Sequence, residues 1–239
     1  MGMAMPATGI QRPSAVPSNN EVERVIWHPS PNFGPRREGL LPSLVVIHYT
    51  AMKSAEAALA RLCDPGVEVS AHYLIGSDGT VWQMVDEAQR AWHAGAGEWA
   101  GQGDVNSRSV GIELDNRGDH PFAERQMAAL ESLLPQIMTR WDIPADGIIG
   151  HSDMAPDRKF DPGSRFDWTR LAQQGLACGV GGGPVGPSVA PDAFRALAQR
   201  AGFTADVDDA TLLAAVRLRF RPQARGPLEA ADLTALTRT

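Results

Sequence analysis

Cysteine is scarce in this chain. Cys63 and Cys178 are its only two among 239 residues, one inside an apparent helix and one beside a glycine-rich stretch. That excludes a disulfide framework and a thiolate metal cluster, and two free thiols are expected. A basic excess is also lacking: 22 Lys and Arg stand against 28 Asp and Glu, for a formal net charge of −6. Without a basic face there is no electrostatic reason to expect nucleic acid or an anionic membrane as partner, so the partner should be neutral or locally recognised. No run approaches the roughly 18 apolar residues of a membrane-spanning helix. Met1 to Asn20 carry neither a basic n-region nor an apolar h-region, so the expected compartment is the cytoplasm, with the periplasm open to a chain whose start is altered or whose export is non-standard.

What is present suffices for a real core, since 43% of the residues are hydrophobic. Composition divides the chain into a flexible lead-in over residues 1–22, a main domain over 23–178, a Gly/Pro linker over 179–191 and a small helical domain over 192–239. The segment Trp27 to Arg37 holds three prolines and a glycine, which argue against regular structure, while Trp27 and Phe33 suggest packing on the main body.

Leu44 to Thr50 is a short β-branched run, the pattern of a strand buried on both faces, and His48 sits where its hydrophobicity gives out. Ser54 is placed to cap a helix running to Cys63. Val69–Ile75 and Thr80–Val85, joined through Asp78-Gly79, read as a hairpin. Ser109–Leu114 reads as a strand with Val110, Ile112 and Leu114 on one side and Gly111 and Glu113 on the other. A long helix is expected from Phe122 to Trp141, with Pro135 kinking it or lying on its exposed side. A short strand, Gly147–Gly150, and a closing helix, Phe166–Leu176, complete the main domain. The last fifty residues show three helical patterns with no evident polar cluster, the middle one opened by Asp209, and read as a binding or stabilising module.

Chemistry concentrates in Gly150 to Gly163, where an imidazole, an amine and a carboxylate precede a Pro-Gly turn. His48, His151 and Asp161 each stand at a strand end or on a turn leading from one. Two imidazoles and a carboxylate are the donor set of a catalytic zinc ion with one open position, although each residue taken alone also suits an ordinary strand end. Glu113 interrupts a core strand, where an ionised carboxylate is costly without a cation, a metal or a proton to move. Lys159 is either an oxyanion donor or a solvated charge. The loop Trp92-His93-Ala94-Gly95 presents an indole and an imidazole between small residues that let a ligand come close. His28 and His120 read as loop residues, and His72 as structural.

Leu44–Thr50, Val69–Ile75, Ala91–Gly95, Asn106–Leu114 and Gly150–Gly163 together resemble, in order and spacing, the zinc-dependent N-acetylmuramoyl-L-alanine amidases of the Amidase_2 type, relatives of peptidoglycan recognition proteins. The resemblance covers about residues 30–175. It implies an α/β fold, a mixed β-sheet flanked by helices, with a small C-terminal three-helix domain like the peptidoglycan-binding module of the family's two-domain branch. That branch carries a signal and a lipid-attachment cysteine, neither of which stands near the start of this chain.

The resemblance further implies one zinc ion per chain held by His48, His151 and Asp161, catalysis by Glu113 and Lys159, and substrate contacts from His93 and Trp92. The implied reaction is hydrolysis of the amide between N-acetylmuramic acid, or its 1,6-anhydro form, and L-alanine of the stem peptide, in cell-wall turnover or recycling by a monomer. A recognition protein that binds peptidoglycan without cutting it, and an amidase lytic to whole walls, are the alternatives.

Overall fold

In the computed structural model, which describes residues 25–182 and 189–237, the chain opens with two three-residue strands, β1 (Val25–Trp27) and β2 (Phe33–Pro35). The lead-in over 1–22 and the middle of the expected linker lie outside the described residues. β2 and the last residue of β1 fall in the segment, Trp27 to Arg37, expected to be irregular. The prolines lie between the strands or end one, so β1 still pairs with β5 and β2 with β6. Nor do the two aromatics pack inward: Trp27 is 57% exposed and Phe33 44%, because these strands occupy sheet edges.

The elements that follow are β3 (Leu44–Tyr49), α1 (Ala55–Leu62), β4 (Tyr73–Ile75), β5 (Val81–Gln83), β6 (Gln89–Ala91), α2 (Val105–Arg108), β7 (Ser109–Leu114), α3 (Glu124–Trp141), β8 (Ile148–Gly150), the single helical turn α4 (His151–Met154) and α5 (Trp168–Gln173). Ser54 caps α1 by accepting from the Ala57 N–H, and Gly79 turns the β4–β5 hairpin at φ +91°. Helix α3 keeps Pro135 on its exposed side. Helix α5 is shorter than the expected closing helix because Asp167 caps it, accepting from the Arg170 N–H.

A six-stranded mixed sheet has the order β1-β5-β4-β7-β3-β8. β3 runs parallel to both β7 and β8, and only β4–β5 is antiparallel. One face carries Val45, Ile47, Val110, Ile112 and Leu114 and is covered by α3 and α5. Across the opposite face, α1 packs over Leu74 and Met84. Leu44, Val46 and Ile149 are covered by the C-terminal helices α6 (Pro191–Arg200), α7 (Asp209–Phe220) and α8 (Ala230–Leu236).

These three helices therefore share a continuous core with the sheet, and Phe194 and Phe203 are buried in it. Asp208, one residue before the expected Asp209, caps α7 through the Thr211 N–H, while Asp209 pairs with Arg195. The helices also contain a polar cluster that was not expected. Arg217 and Arg221 both bind Asp232, which is buried on α8. Its charges are spread over two helices, so no local pattern reveals it.

A shared core predicts one cooperative melting transition. Phe194→Ala should destabilise the protein by about 3–5 kcal/mol, and differential scanning calorimetry should show the whole transition move down as one rather than split.

Candidate active site

Parallel pairing brings the carboxyl ends of β3, β7 and β8 side by side, with His48 opposite Glu113 and Ile47 opposite Gly150. In open sheets of this kind ligands bind beyond that edge. Strand alternation sends Leu44, Val46 and His48 to the face shared by α1 and the C-terminal helices, and Glu113 follows His48. The groove opens on this face, with Ala58, Arg61 and Leu62 of α1 along one wall.

His151 is the first residue of α4, directly after β8. The chain then loops back, and the Ser152 N–H donates to the Asp161 carbonyl at 2.9 Å, which brings the Asp161 side chain beside His151. His48 Nδ1, His151 Nδ1 and Asp161 Oδ2 lie 2.9–3.0 Å from one another, and all three side chains are buried.

The protons on the two histidines follow from their outer contacts. The Ser109 hydroxyl donates to the Val105 carbonyl at 2.5 Å, so Ser109 Oγ accepts from His93 Nε2 at 3.2 Å. His93 Nδ1 is then an acceptor, and His48 Nε2–H donates to it at 3.0 Å. Likewise His151 Nε2–H donates to the Ala94 carbonyl at 2.9 Å, since a carbonyl can only accept. Burial and then the neighbouring His151, outweighing Asp161, push the His48 pKa down to about 4, so His48 is neutral at pH 7.

Neutral His48, with its proton on Nε2, therefore aims an Nδ1 lone pair at the same carboxylate oxygen that His151 Nδ1 approaches. Each histidine spends its Nε2–H on an outer acceptor, which leaves the two Nδ1 atoms and Asp161 Oδ2 turned toward one point, where a cation would satisfy all three. Two imidazole nitrogens and a carboxylate oxygen are a donor set suited to such a cation, and outer hydrogen bonds that fix tautomers are the usual support of metal-binding histidines.

Glu113 is half-buried, but its Oε2 is sealed from solvent and has no hydrogen-bond partner. Burial, reinforced by the Asp161 charge and opposed by Lys159, pushes its pKa up to about 8. Lys159 and Trp92 are half-buried in the groove wall. Two adjoining cavities, about 400 and 500 Å³, meet at Trp92, His93, His151 and Lys159, so the cluster sits midway along a groove.

Every site residue expected from the sequence thus lines this one groove. The His93 ring hydrogen-bonds to His48 and Ser109 and stands edge-on to the His72 ring. His28 and His120 are exposed elsewhere, and buried His72 accepts from the Gly111 N–H at 2.9 Å.

Sequence reasoning missed the supporting residues. Asn106 Oδ1 accepts from the His93 and Ala94 N–H groups and so shapes the loop whose carbonyl holds His151. Gly111 leaves room for His93, since a Cβ there would fall 2.4 Å from the imidazole. An isolated glycine in a buried strand is a signal of close approach; Ser109 and Asn106 carry no comparable signal.

The N-acetylmuramoyl-L-alanine amidase family model (Amidase_2) matches residues 38–164. Among curated relatives, the N-acetylmuramoyl-L-alanine amidase AmiD of Escherichia coli is 39% identical over 71% of this chain, and the match spans 63% of AmiD, just under two thirds of its length. The 1,6-anhydro-N-acetylmuramyl-L-alanine amidase AmpD of Enterobacter cloacae is 36% identical over 60% of this chain and 86% of its own. Among solved structures, AmiD from E. coli in complex with anhydro-N-acetylmuramic acid-L-Ala-D-gamma-Glu-L-Lys superposes with a TM-score of 0.73 at 32% identity, covering 83% of this chain and 89% of AmiD. AmpDh3 from Pseudomonas aeruginosa superposes with a TM-score of 0.72 at 26% identity over 96% of both chains. This chain belongs to the N-acetylmuramoyl-L-alanine amidase family of the Amidase_2 type.

Proposed function

We propose that this protein is a zinc amidase that hydrolyses the amide bond between N-acetylmuramic acid, including its 1,6-anhydro form, and L-alanine of peptidoglycan stem peptides, in cell-wall turnover or recycling. The observation that carries the reading is the convergence of His48 Nδ1, His151 Nδ1 and Asp161 Oδ2 midway along a groove, beside the unpartnered carboxylate oxygen of Glu113. The amidase names of the relatives, and the muropeptide held by AmiD, support the choice of bond.

His48, His151 and Asp161 would hold the zinc. When bound, zinc supplies Lewis acidity, acidifying water to roughly pKa 7 and polarising a carbonyl. Glu113 takes the proton of the attacking water and returns it to the leaving nitrogen of L-alanine. A carboxyl with a pKa near 8 in a sealed position is suited to both transfers near neutral pH. Lys159 donates to the amide oxygen as negative charge develops there, an interaction worth about 2.7–4 kcal/mol where comparable donors have been removed. Trp92 and His93 form the wall along which the substrate lies, with His93 also orienting His48.

All these groups come from one chain, which supports action as a monomer. No described helix is long and apolar enough to cross a membrane.

Asp161→Ala should lose both zinc and activity, whereas Glu113→Gln should keep zinc and lose turnover by roughly 10²–10⁴-fold. Mass spectrometry of products from anhydro-muropeptides and from intact sacculi, with metal content measured in parallel, checks both. Release of free stem peptide from neither substrate would replace the amidase reading with recognition alone, and full activity after chelation would remove the metal from the mechanism.

Glu113 also makes a stability prediction. Its folded pKa lies above its unfolded value, so its contribution to stability is complete below about pH 4.5 and is lost as pH rises through about 8. In metal-free protein, Glu113→Gln should therefore melt close to the parent at pH 4.5 and roughly 10 °C or more above it at pH 8.5. Equal melting temperatures at both pH values would contradict a sealed, proton-retaining Glu113.

A further inference from the structure

We propose that the C-terminal helices position the metal-ligand turn, with Arg219 of α7 acting as a clamp on the residues either side of His151. The proposal rests on the reading of His48, His151 and Asp161 as a zinc site.

Helix α4 is four residues long, a single turn whose C-terminal end is closed by the Ala155 N–H donating to the His151 carbonyl at 3.1 Å. One turn does not hold its shape by itself, because nucleating a helix fixes several residues for one bond. Its geometry has to be imposed by neighbours, and Arg219 is placed to impose it.

The Arg219 guanidinium is buried and crosses the β8–α4 junction as a fork. Nη1 donates to Asp153 Oδ2 at 2.7 Å, and Nη2 donates to the Ile148 carbonyl at 2.9 Å. The same Asp153 oxygen accepts from the Gly150 N–H at 2.8 Å. Ile148, Gly150 and Asp153 bracket His151, so one side chain from α7 ties the strand before the ligand to the turn after it. The fork is itself held flat, with its carbon 4.1 Å from the Trp168 ring centroid and 5.4 Å from that of Phe220.

The neighbouring arginines do something else. Arg217 on α7 and Arg221, which caps its C-terminal end, bind Asp232 within the helical layer. Arg219 lies on the opposite side of α7 and reaches the sheet. A planar fork can serve a carboxylate and a carbonyl together, which a lysine ammonium does not reproduce.

The test is zinc affinity of the folded full-length protein, measured by competition with a chromogenic chelator well below each melting temperature. Arg219→Met should weaken zinc binding about 10–100-fold, and Arg219→Lys should recover only part of it. Leu236→Ala, which thins the same helical layer without touching the fork, should lower the melting temperature yet leave zinc affinity within about twofold. If Arg219→Met does not fold, Asp153→Asn combined with Arg219→Met removes the stranded charge and is read in its place.

The clamp is overturned if the Arg219 variant binds zinc as tightly as the parent, or if Leu236→Ala weakens zinc equally, since affinity would then follow stability alone. A parent protein with no zinc affinity would instead sink the site reading. In that case the exchange protection of the His151 Nε2–H, seen by NMR without metal, decides the clamp: it should be present in the parent and lost in the Arg219 variant, and unchanged protection overturns it.

Discussion

The site depends on hydrogen bonds whose direction is set at backbone carbonyls. From Val105, through Ser109 and His93 to His48, and from Ala94 to His151, each link has one orientation because a carbonyl oxygen cannot donate. The two imidazoles are left with their Nδ1 atoms turned toward Asp161. The fold thus holds in place a donor set that could bind a cation, with the outer hydrogen bonds that usually support metal-binding histidines.

The side chains that these hydrogen bonds orient meet because of the sheet register. β3, β7 and β8 end together, so His48, Glu113 and His151 reach one groove although the last lies 103 positions after the first. On the same strands, Gly111 opens the space that His93 occupies. A side chain at that position would push His93 away from His48 and break the chain of donors in its middle.

The helical layer contributes more than cover. Its phenylalanines complete the core beneath Leu44, Val46 and Ile149, and the contacts of its buried arginines, Arg217 and Arg219, divide into two sets on opposite sides of α7. One set closes the layer on itself through Asp232. The other, Arg219 alone, is buried against the turn that carries His151. A chain segment that composition marks as separate is thus continuous with the catalytic face in packing and in electrostatics.

The sequence by itself determined the central strands, because β-branched runs such as Leu44–Tyr49 and Ser109–Leu114 have few alternatives to burial, and it determined the family, because five motifs stand in order. It also singled out Glu113, whose charge is out of place in a core strand whatever surrounds it. It misjudged Trp27 and Phe33, since exposure at a sheet edge depends on which strands become edges. Only the tertiary structure decided which nitrogen of each histidine faces inward, that His93 serves His48, and that Arg219 meets Asp153 from 66 residues away. These are contacts between distant segments, set by register and layer packing, and no local pattern of hydrophobicity or spacing encodes them.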